Sequence, residues 1–162
     1  MLIWLAFTLL NTYTKLNNMG LVRGDNAIVY VDEGGSTDQK VIGCFRSATL
    51  SFDSEMLETS ITGQGSSATF IPAKQSFSIS LEGLLYIDKE GLKYTTFNFL
   101  QAQQNETLLS VEFVYTDEQG NFMSIAGNGY VENDSITNSF DNVATFSVNI
   151  RGTGVLNIQT GS

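Results

Sequence analysis

Side chains that could do acid–base chemistry occur in three acidic groups of this sequence. They are Asp32-Glu33, Asp117-Glu118, and Glu132 with Asp134. Each group lies beside Gly or Asn at a predicted turn or strand end, where carboxylates are usually solvated or cap the backbone. Calcium needs only oxygen ligands, but the segment that begins at Asp32 lacks the alternation and terminal Glu of a calcium loop. We therefore predict no catalytic residue and no metal site.

The sequence also offers few groups for nucleophilic catalysis. The 162-residue chain contains no His and a single Cys, Cys44. Without His, a Ser nucleophile would have only Lys as its activating base, and no Lys has suggestive spacing. Cys44 cannot form an intramolecular disulfide and is expected to be a small buried hydrophobe. Because phosphate-loop, GxSxG and dinucleotide motifs are also missing, we expect no enzyme and no cofactor.

The charge balance argues against a protein that grips nucleic acid. There are 17 acidic and 8 basic side chains, for a formal net charge of -9. Binding to phosphates normally requires a basic excess. The acidity has two interpretations: it keeps the protein soluble, or it forms a surface that repels nucleic acid.

Period-two alternation of apolar and polar residues predicts that strands dominate the chain. The clearest run is Gln75–Leu85, where Phe77, Ile79 and Leu81 alternate with Ser and Glu. Other strands are predicted around 27–31, 41–44, 48–52, 109–115, 123–131 and 144–151. Turn signals at 32–35 and 117–121 predict hairpins. The glycines at 127, 129, 152 and 154 fall inside strands, which indicates bulges or close backbone contacts.

Two segments break the strand pattern. Gly91–Gln104 places Tyr94, Phe97 and Leu100 at helical spacing, which predicts one helix packed on the sheet. Asp53–Ala73 is rich in Ser, Thr and Gly, and a structureless loop of this length is unusual inside a domain. The scattered apolar residues of this loop favour an arm that orders against another subunit over an ordinary surface loop. These arm residues are Met56, Leu57, Ile61, Phe70, Ile71 and Pro72.

The first eighteen residues differ from the rest of the chain. Met1–Leu10 is strongly apolar, yet it is too short to span a bilayer as a helix and lacks the basic start of a signal peptide. We interpret residues 1–18 as an extension from a misassigned start, with Met19 as the first residue, and a secretory leader is the alternative. Residues 19–162 are expected to form a single domain.

The order of elements predicts a mainly β fold: an antiparallel β-sandwich or barrel with one flanking α-helix and a long loop arm. A secreted sandwich that binds carbohydrate would fit this class. Such modules usually display aromatic side chains on a sheet face, whereas most strand aromatics here fall on the apolar side. Sugar binding is therefore the weaker alternative.

The segment from Met19 to Thr153 resembles the tail tube (major tail) proteins of long-tailed bacteriophages. The likeness is carried by Met19–Gly24 before a Gly-rich hairpin, by Ala48–Phe52 before the long loop, and by the closing strand Val143–Gly154. Its most specific part is FIPAKQSFSISLEG at Phe70–Gly83, which looks like the family's turn into its long central strand. Many relatives have Gly where this chain has Ala73, and residues 1–18 have no counterpart.

This resemblance implies a structural subunit of a virion tail that assembles as hexameric rings stacked into a hollow tube. The implied partners are further copies of the chain and other tail proteins: the tape measure, the terminator, the baseplate or tip, and in contractile tails a sheath. DNA would be a transient cargo that does not stick, and no membrane is involved. The alternative within this architecture, which type VI secretion tube proteins share, is a secretion or contractile-injection tube that conducts proteins.

The tube hypothesis assigns one polar strand face to the channel. The possible lumen-facing strand carries Ser76, Ser78, Ser80 and Glu82. Hydroxyls, amides and carboxylates offer no cation to passing phosphates, so the acidity of the chain fits a non-sticking conduit.

Overall fold

Residues 24, 27–34, 39–59 and 68–161 are described by the structure, a computed structural model. They form eight strands and one helix. In chain order these are β1 (Ala27–Glu33), β2 (Lys40–Ile42), β3 (Phe45–Glu58), β4 (Phe70–Leu84), β5 (Lys93–Tyr94), α1 (Thr96–Gln104), β6 (Leu109–Thr116), β7 (Phe122–Thr137) and β8 (Thr145–Gly161). The predicted mainly β fold with one flanking helix is thereby confirmed. Residues 1–18, which we interpreted as an extension, lie outside the described residues.

The strands join into one mixed sheet in the order β3-β4-β8-β7-β6-β1-β2-β5. Neighbouring strands are antiparallel except β2 and β5, which are parallel. The antiparallel pairing of β1 with β2 and of β6 with β7 confirms both predicted hairpin connections. In the second hairpin, the Asp117 carboxylate accepts hydrogen bonds from the backbone N–H groups of Gln119 and Asn121.

Pairing register puts the apolar residues of neighbouring strands in rows on one face. Ile79 lies opposite Ile150, which in turn lies opposite Val131. Because directly opposed residues share a face, every such row contributes to the same core. The core consists of Val29, Val31, Ile42, Phe77, Ile79, Leu81, Tyr94, Phe99, Ala102, Leu109, Val111, Phe113, Val131, Phe146, Val148 and Ile150.

The helix starts later than its apolar pattern indicated, at Thr96 instead of Gly91. Upstream, the Asp88 carboxylate accepts hydrogen bonds from the backbone N–H groups of Glu90 and Lys93. These bonds form a turn that is incompatible with a continuous helix. The N-terminal boundary is set at Thr95, whose hydroxyl donates to Asn98 Oδ1 at 2.7 Å.

The predicted helical stripe of Tyr94, Phe97 and Leu100 is also wrong. Phe97 is about half exposed, and the buried helical residues are Thr96, Phe99 and Ala102. The predicted spacing of three residues was correct, but the buried positions Thr96 and Phe99 each come one residue before the predicted Phe97 and Leu100. Tyr94 precedes the helix and meets Phe99 edge to face, with ring centroids 4.7 Å apart.

The described parts of Asp53–Ala73, which was predicted as a structureless loop, are mostly the paired strands of a β-hairpin. β3 and β4 remain paired from Phe45 opposite Gly83 to Glu58 opposite Phe70. Thr and β-branched residues favour extended backbone, so a Ser/Thr-rich composition that resembles a loop can form a strand exposed on both faces. Residues 60–67, which include the predicted arm residue Ile61, lie outside the described residues.

Cys44 was expected to be buried, yet it is exposed in the turn between β2 and β3. Its φ of 56° places it in the left-handed region. The tight turn lets the Cys44 carbonyl accept the Leu84 N–H at 3.0 Å, which anchors the start of β3 beside β4. Turn geometry at this position therefore outweighs the hydrophobicity of the thiol.

Two glycines predicted to mark close backbone contacts do so beneath a core aromatic ring. A Cβ on Gly127 would come within 2.8 Å of the Phe77 ring, and a Cβ on Gly152 would be closer still to the same ring. The missing side chains let Phe77 pack directly on the backbones of β7 and β8. A register shift between Ala126 and Asn128 supplies the expected bulge.

Gly83→Ala should destabilise the fold by about 2 kcal/mol, the usual scale of overpacking. Gly83 lies between Phe45 and Phe146 on the neighbouring strands, and an added Cβ would come within 2.6 Å of the Cys44 carbonyl oxygen. Urea unfolding monitored by circular dichroism measures the loss. Gly24→Ala is the control, because no atom of the described residues lies within 4 Å of a Cβ there. Equal unfolding midpoints for the two variants would contradict this packing account.

Candidate assembly surfaces

The four possible lumen residues on β4 belong to a larger polar face shared by four adjacent strands. One row crosses it from Thr49 through Ser80 and Asn149 to Asn133. We define this polar face by the residues of its parallel rows. They are Ser47, Thr49, Ser51 and Asp53 on β3; Ser76, Ser78, Ser80 and Glu82 on β4; Ser147, Asn149 and Arg151 on β8; and Tyr130, Asn133 and Ser135 on β7.

Hydrogen bonds and an ion pair link neighbouring strands across the polar face. The Ser80 hydroxyl donates to Asn149 Oδ1 at 2.6 Å. Arg151 Nη1 lies 3.0 Å from Glu132 Oε1, and both side chains are largely exposed. The ion pair with Glu132 compensates the positive charge of Arg151. The carboxylates of Asp53 and Glu82 also lie on the polar face. The polar face therefore presents hydroxyls, amides and carboxylates with a neutralised cation.

A bulge in β7 brings one carboxylate onto the apolar side of the sheet. The register shifts between Val131 and Asn133, so that Asp134 falls opposite Val148, a core residue. Neither Asp134 carboxylate oxygen has a well-aligned hydrogen-bond donor among the described residues. Burial raises the pKa of Asp134 to about 6, although the Ser135 backbone N–H acts in the opposite direction.

The outer part of the β3–β4 hairpin, residues 55–59 and 68–74, is the arm of the described structure. Of the predicted arm residues, Met56, Leu57, Phe70 and Ile71 are each about half exposed, and Pro72 is exposed. Leu57 pairs with Ile71, and Met56 pairs with Pro72 one position away. Since adjacent pairs point to opposite faces, the arm is apolar on both of its faces.

The three acidic groups noted in the sequence do not converge. Glu33 accepts a hydrogen bond from the Tyr94 hydroxyl at 3.1 Å, and burial is the largest cause that raises the pKa of this tyrosine. The Asn121 side chain, which donates to Asp117, lowers the pKa of that carboxyl. Among the described residues, no three His, Cys, Asp or Glu side chains are grouped to hold a metal ion.

No helix in the described part of the chain is long and apolar enough to cross a membrane. Sequence alternation located the β4 row of the polar face correctly. Alternation also separated the polar from the apolar residues of β8, but it did not reveal that β8 lies beside β4, because that pairing spans a long sequence separation.

The family model for the phage tail tube protein matches residues 21–157 of the chain. No curated protein matches the chain by sequence. The match therefore connects most of the described fold to one family.

Solved structures with a similar fold share little sequence with the chain. One is the tail of an empty gene transfer agent particle with C6 symmetry, at 19% identity and a TM-score of 0.65, covering 85% of this chain and 98% of that one. The SPP1 tail tube has 10% identity and a TM-score of 0.65, with 86% and 78% covered. A chain of the anti-feeding prophage baseplate has 11% identity and a TM-score of 0.62, with 83% and 92% covered.

Asp134→Asn should stabilise the protein at neutral pH and have little effect in acid. Folding raises the pKa of Asp134 from 3.8 to about 6, so the folded state holds this proton more tightly than the unfolded chain. Its favourable contribution is complete below pH 3.8 and is lost as the pH rises through 6. Thermal unfolding of both proteins across this range, with exposed Asp141→Asn as control, measures the effect. A pH-independent difference would contradict burial as the cause.

Proposed function

This chain belongs to the phage tail tube protein family, and from that membership we propose that its copies form hexameric rings stacked into a hollow conduit for viral DNA. The protein is a structural subunit of a tail tube, and its location is the virus tail. The match over residues 21–157 carries this conclusion. The closed ring, the channel lining and the cargo are the parts that we propose.

The exposed edge of the sheet supports assembly into rings. β3 is an edge strand of fourteen residues that pairs with β4 on one side only within the described sheet. A long edge with unpaired backbone groups invites addition of another strand. In a ring, this edge would meet the next copy, and closure would remove the edge from solvent. The C6 symmetry of the similar gene transfer agent tail supports six copies per ring.

The polar face is the best candidate for the channel lining. Its opposite side carries the core residues of β4 and β8, so only the polar side can face water without exposing the core. We propose that Ser76, Ser78, Ser80 and Glu82 face the lumen together with the rows on β3, β8 and β7.

The chemistry of this lining suits rapid passage of DNA. Phosphates bind where Lys and Arg neutralise them, and each such contact releases counterions. Arg151 is engaged by Glu132, while Asp53 and Glu82 would repel phosphates at short range. We propose that DNA contacts this surface only in transit.

We infer the remaining partners from the position that a tube has within a phage tail. The ends of a stacked tube require other tail proteins, and we propose the tape measure, the terminator and the baseplate or tip, with a sheath if the tail contracts. Assembly would take place in the host bacterial cytoplasm. We also propose that the subunit has no catalytic activity and needs no cofactor, as expected for a protein whose function is shared among copies.

A protein-conducting injection tube is the second candidate. We retain this candidate because the fold is similar to that of a chain in the anti-feeding prophage baseplate. A neutral or acidic lining would let many unfolded or folded proteins pass as well as DNA. Isolation of the tubes on DNA-filled particles would favour the first function, whereas isolation with protein cargo would favour the second.

Ser76→Lys, introduced into every copy of a particle, should slow DNA exit. Ser76 is exposed on the polar face, so a lysine there can reach phosphates without disturbing the core. A Lys–phosphate contact should weaken about 3.5-fold as salt rises from roughly 50 to 200 mM, so the delay should shrink accordingly. Time-resolved fluorescence of released DNA measures exit, and neutral Ser76→Gln is the matched control. Equal exit rates at every salt concentration would contradict a lumen position for Ser76.

Shortening the arm should abolish tubes but preserve the folded subunit. Ser54 pairs with Gln75, so residues 55–74 can be replaced by Asn-Gly, a turn that suits a two-residue hairpin. The first core residue of β4 is Phe77, and the core should remain intact because the described residues of the deleted segment, 55–59 and 68–74, are exposed. Electron microscopy tests for tubes, and circular dichroism tests the fold. Normal tubes from the shortened chain would refute the role of the arm in assembly.

A further inference from the structure

A fork divides the sheet where β4 and β8 separate. Their pairing extends only to Ser78 opposite Arg151, and a few residues later Gly154 adopts a φ of +78°. This left-handed conformation strains residues with a side chain, which is why glycine suits the bend. Past the fork, β8 continues beside β7 alone, as far as Gly161 opposite Phe122. The β3–β4 ribbon continues separately toward the arm.

An apolar cleft lies at this fork. We define the fork cleft by the residues that line both ribbons: Leu50, Phe52, Phe77, Ile125, Val155 and Ile158. Its volume is about 440 Å³. A cavity of roughly 150 Å³ accommodates benzene, so the cleft has room for about two or three apolar side chains.

None of the described residues fills the fork cleft. Val155 is 88% exposed and Ile158 is 62% exposed, although both belong to β8, whose first half buries alternate residues. Exposed apolar surface that continues into a concavity is typical of a contact surface. Charged residues are absent from its described lining, which favours an apolar occupant.

The arm has the complementary properties. Its half-exposed side chains lie on both faces of a two-stranded ribbon, so packing against a flat surface would leave one face in water. A cleft between two apolar ribbons can enclose more of this surface. Six residues separate Phe52 in the fork cleft from Glu58 near the tip, which corresponds to about 20 Å of strand. The tip of a paired ribbon therefore extends away from the cleft of its own subunit.

We propose that the fork cleft of one copy receives Leu57 and Ile71 from the arm of another copy. This rests on the proposed function, since a stacked tube joins copies through heterologous contacts. In such contacts each copy must present two different surfaces that complement each other. The arm is the projecting surface and the fork cleft is the receiving one, which gives the apolar exposure at both places a single explanation.

Cross-linking between two single-cysteine proteins tests the contact directly. In full chains carrying Cys44→Ser, one protein receives Ile71→Cys and the other Val155→Cys, and the two are mixed before assembly and oxidised. A covalent dimer containing one of each is expected, with far less product from either protein alone. Tubes that form without this mixed dimer would overturn the cleft assignment and leave the tube function standing. Failure of the unmodified chain to form tubes would instead overturn the proposed function and this inference with it.

A benzophenone attached to the introduced thiol of the Val155→Cys protein identifies the occupant without assuming its position. After irradiation of assembled tubes, peptide mapping should locate the cross-link within residues 55–74 of another chain. A cross-link to residues 1–23, or to a different surface, would overturn the proposal.

Charge substitution provides an independent measurement. Val155→Glu should reduce the polymerised fraction by about tenfold or more, because an unpaired carboxylate would have to enter an apolar contact. Leu92→Glu is the matched control, since Leu92 is 68% exposed and lies outside both the arm and the fork cleft. Sedimentation measures the polymer, and circular dichroism confirms that both variants fold. Equal polymer from both variants would overturn the proposal.

Discussion

The register between β4 and β8 is the constraint on which the rest of the structure depends. Ile79 opposite Ile150 and Leu81 opposite Val148 place four core residues on one side of the sheet. The same alignment puts Ser80 opposite Asn149 on the other side, where their side chains hydrogen-bond. Because the side-chain period is two, a slip of one residue would exchange these faces. Folding and the chemistry of the polar face thus follow from a single alignment.

Local interruptions of this regularity are confined to places where they change what a strand presents. The bulge before Asn133 keeps Val131 in the core, and it moves Asp134 onto the apolar side, where its carboxylate lacks a well-aligned donor among the described residues. The bend at Gly154 follows the last pair of β8 with β4, Arg151 opposite Ser78, and lines the fork cleft. Glycines beneath Phe77 let one aromatic ring cover two strand backbones. Each irregularity either improves packing in the core or creates a surface that remains exposed in the single subunit.

The single chain therefore folds around a buried core but leaves surfaces exposed that another copy could cover. Its core is closed, yet the edge of β3, both faces of the arm and the fork cleft remain in contact with solvent. Apolar exposure of this extent disfavours an isolated subunit in water, and the same surfaces supply the free energy of association when copies meet. In the proposed tube, the channel and its lining would arise from repeated contacts between copies.

The sequence by itself determined the strand-rich class, the two faces of β4 and the apolar character of the arm, because alternation and side-chain chemistry are local properties. It also indicated the family through Phe70–Gly83, where local pattern and order are most specific. It misjudged the start of the helix, the exposure of Cys44 and the strand character of residues 53–58 and 70–73. Only the tertiary structure decided which strands are neighbours, since pairs such as Ser78 and Arg151 form between distant segments of the chain. The four-stranded polar face and the fork cleft depend on that pairing, and neither can be deduced from the period of any one strand.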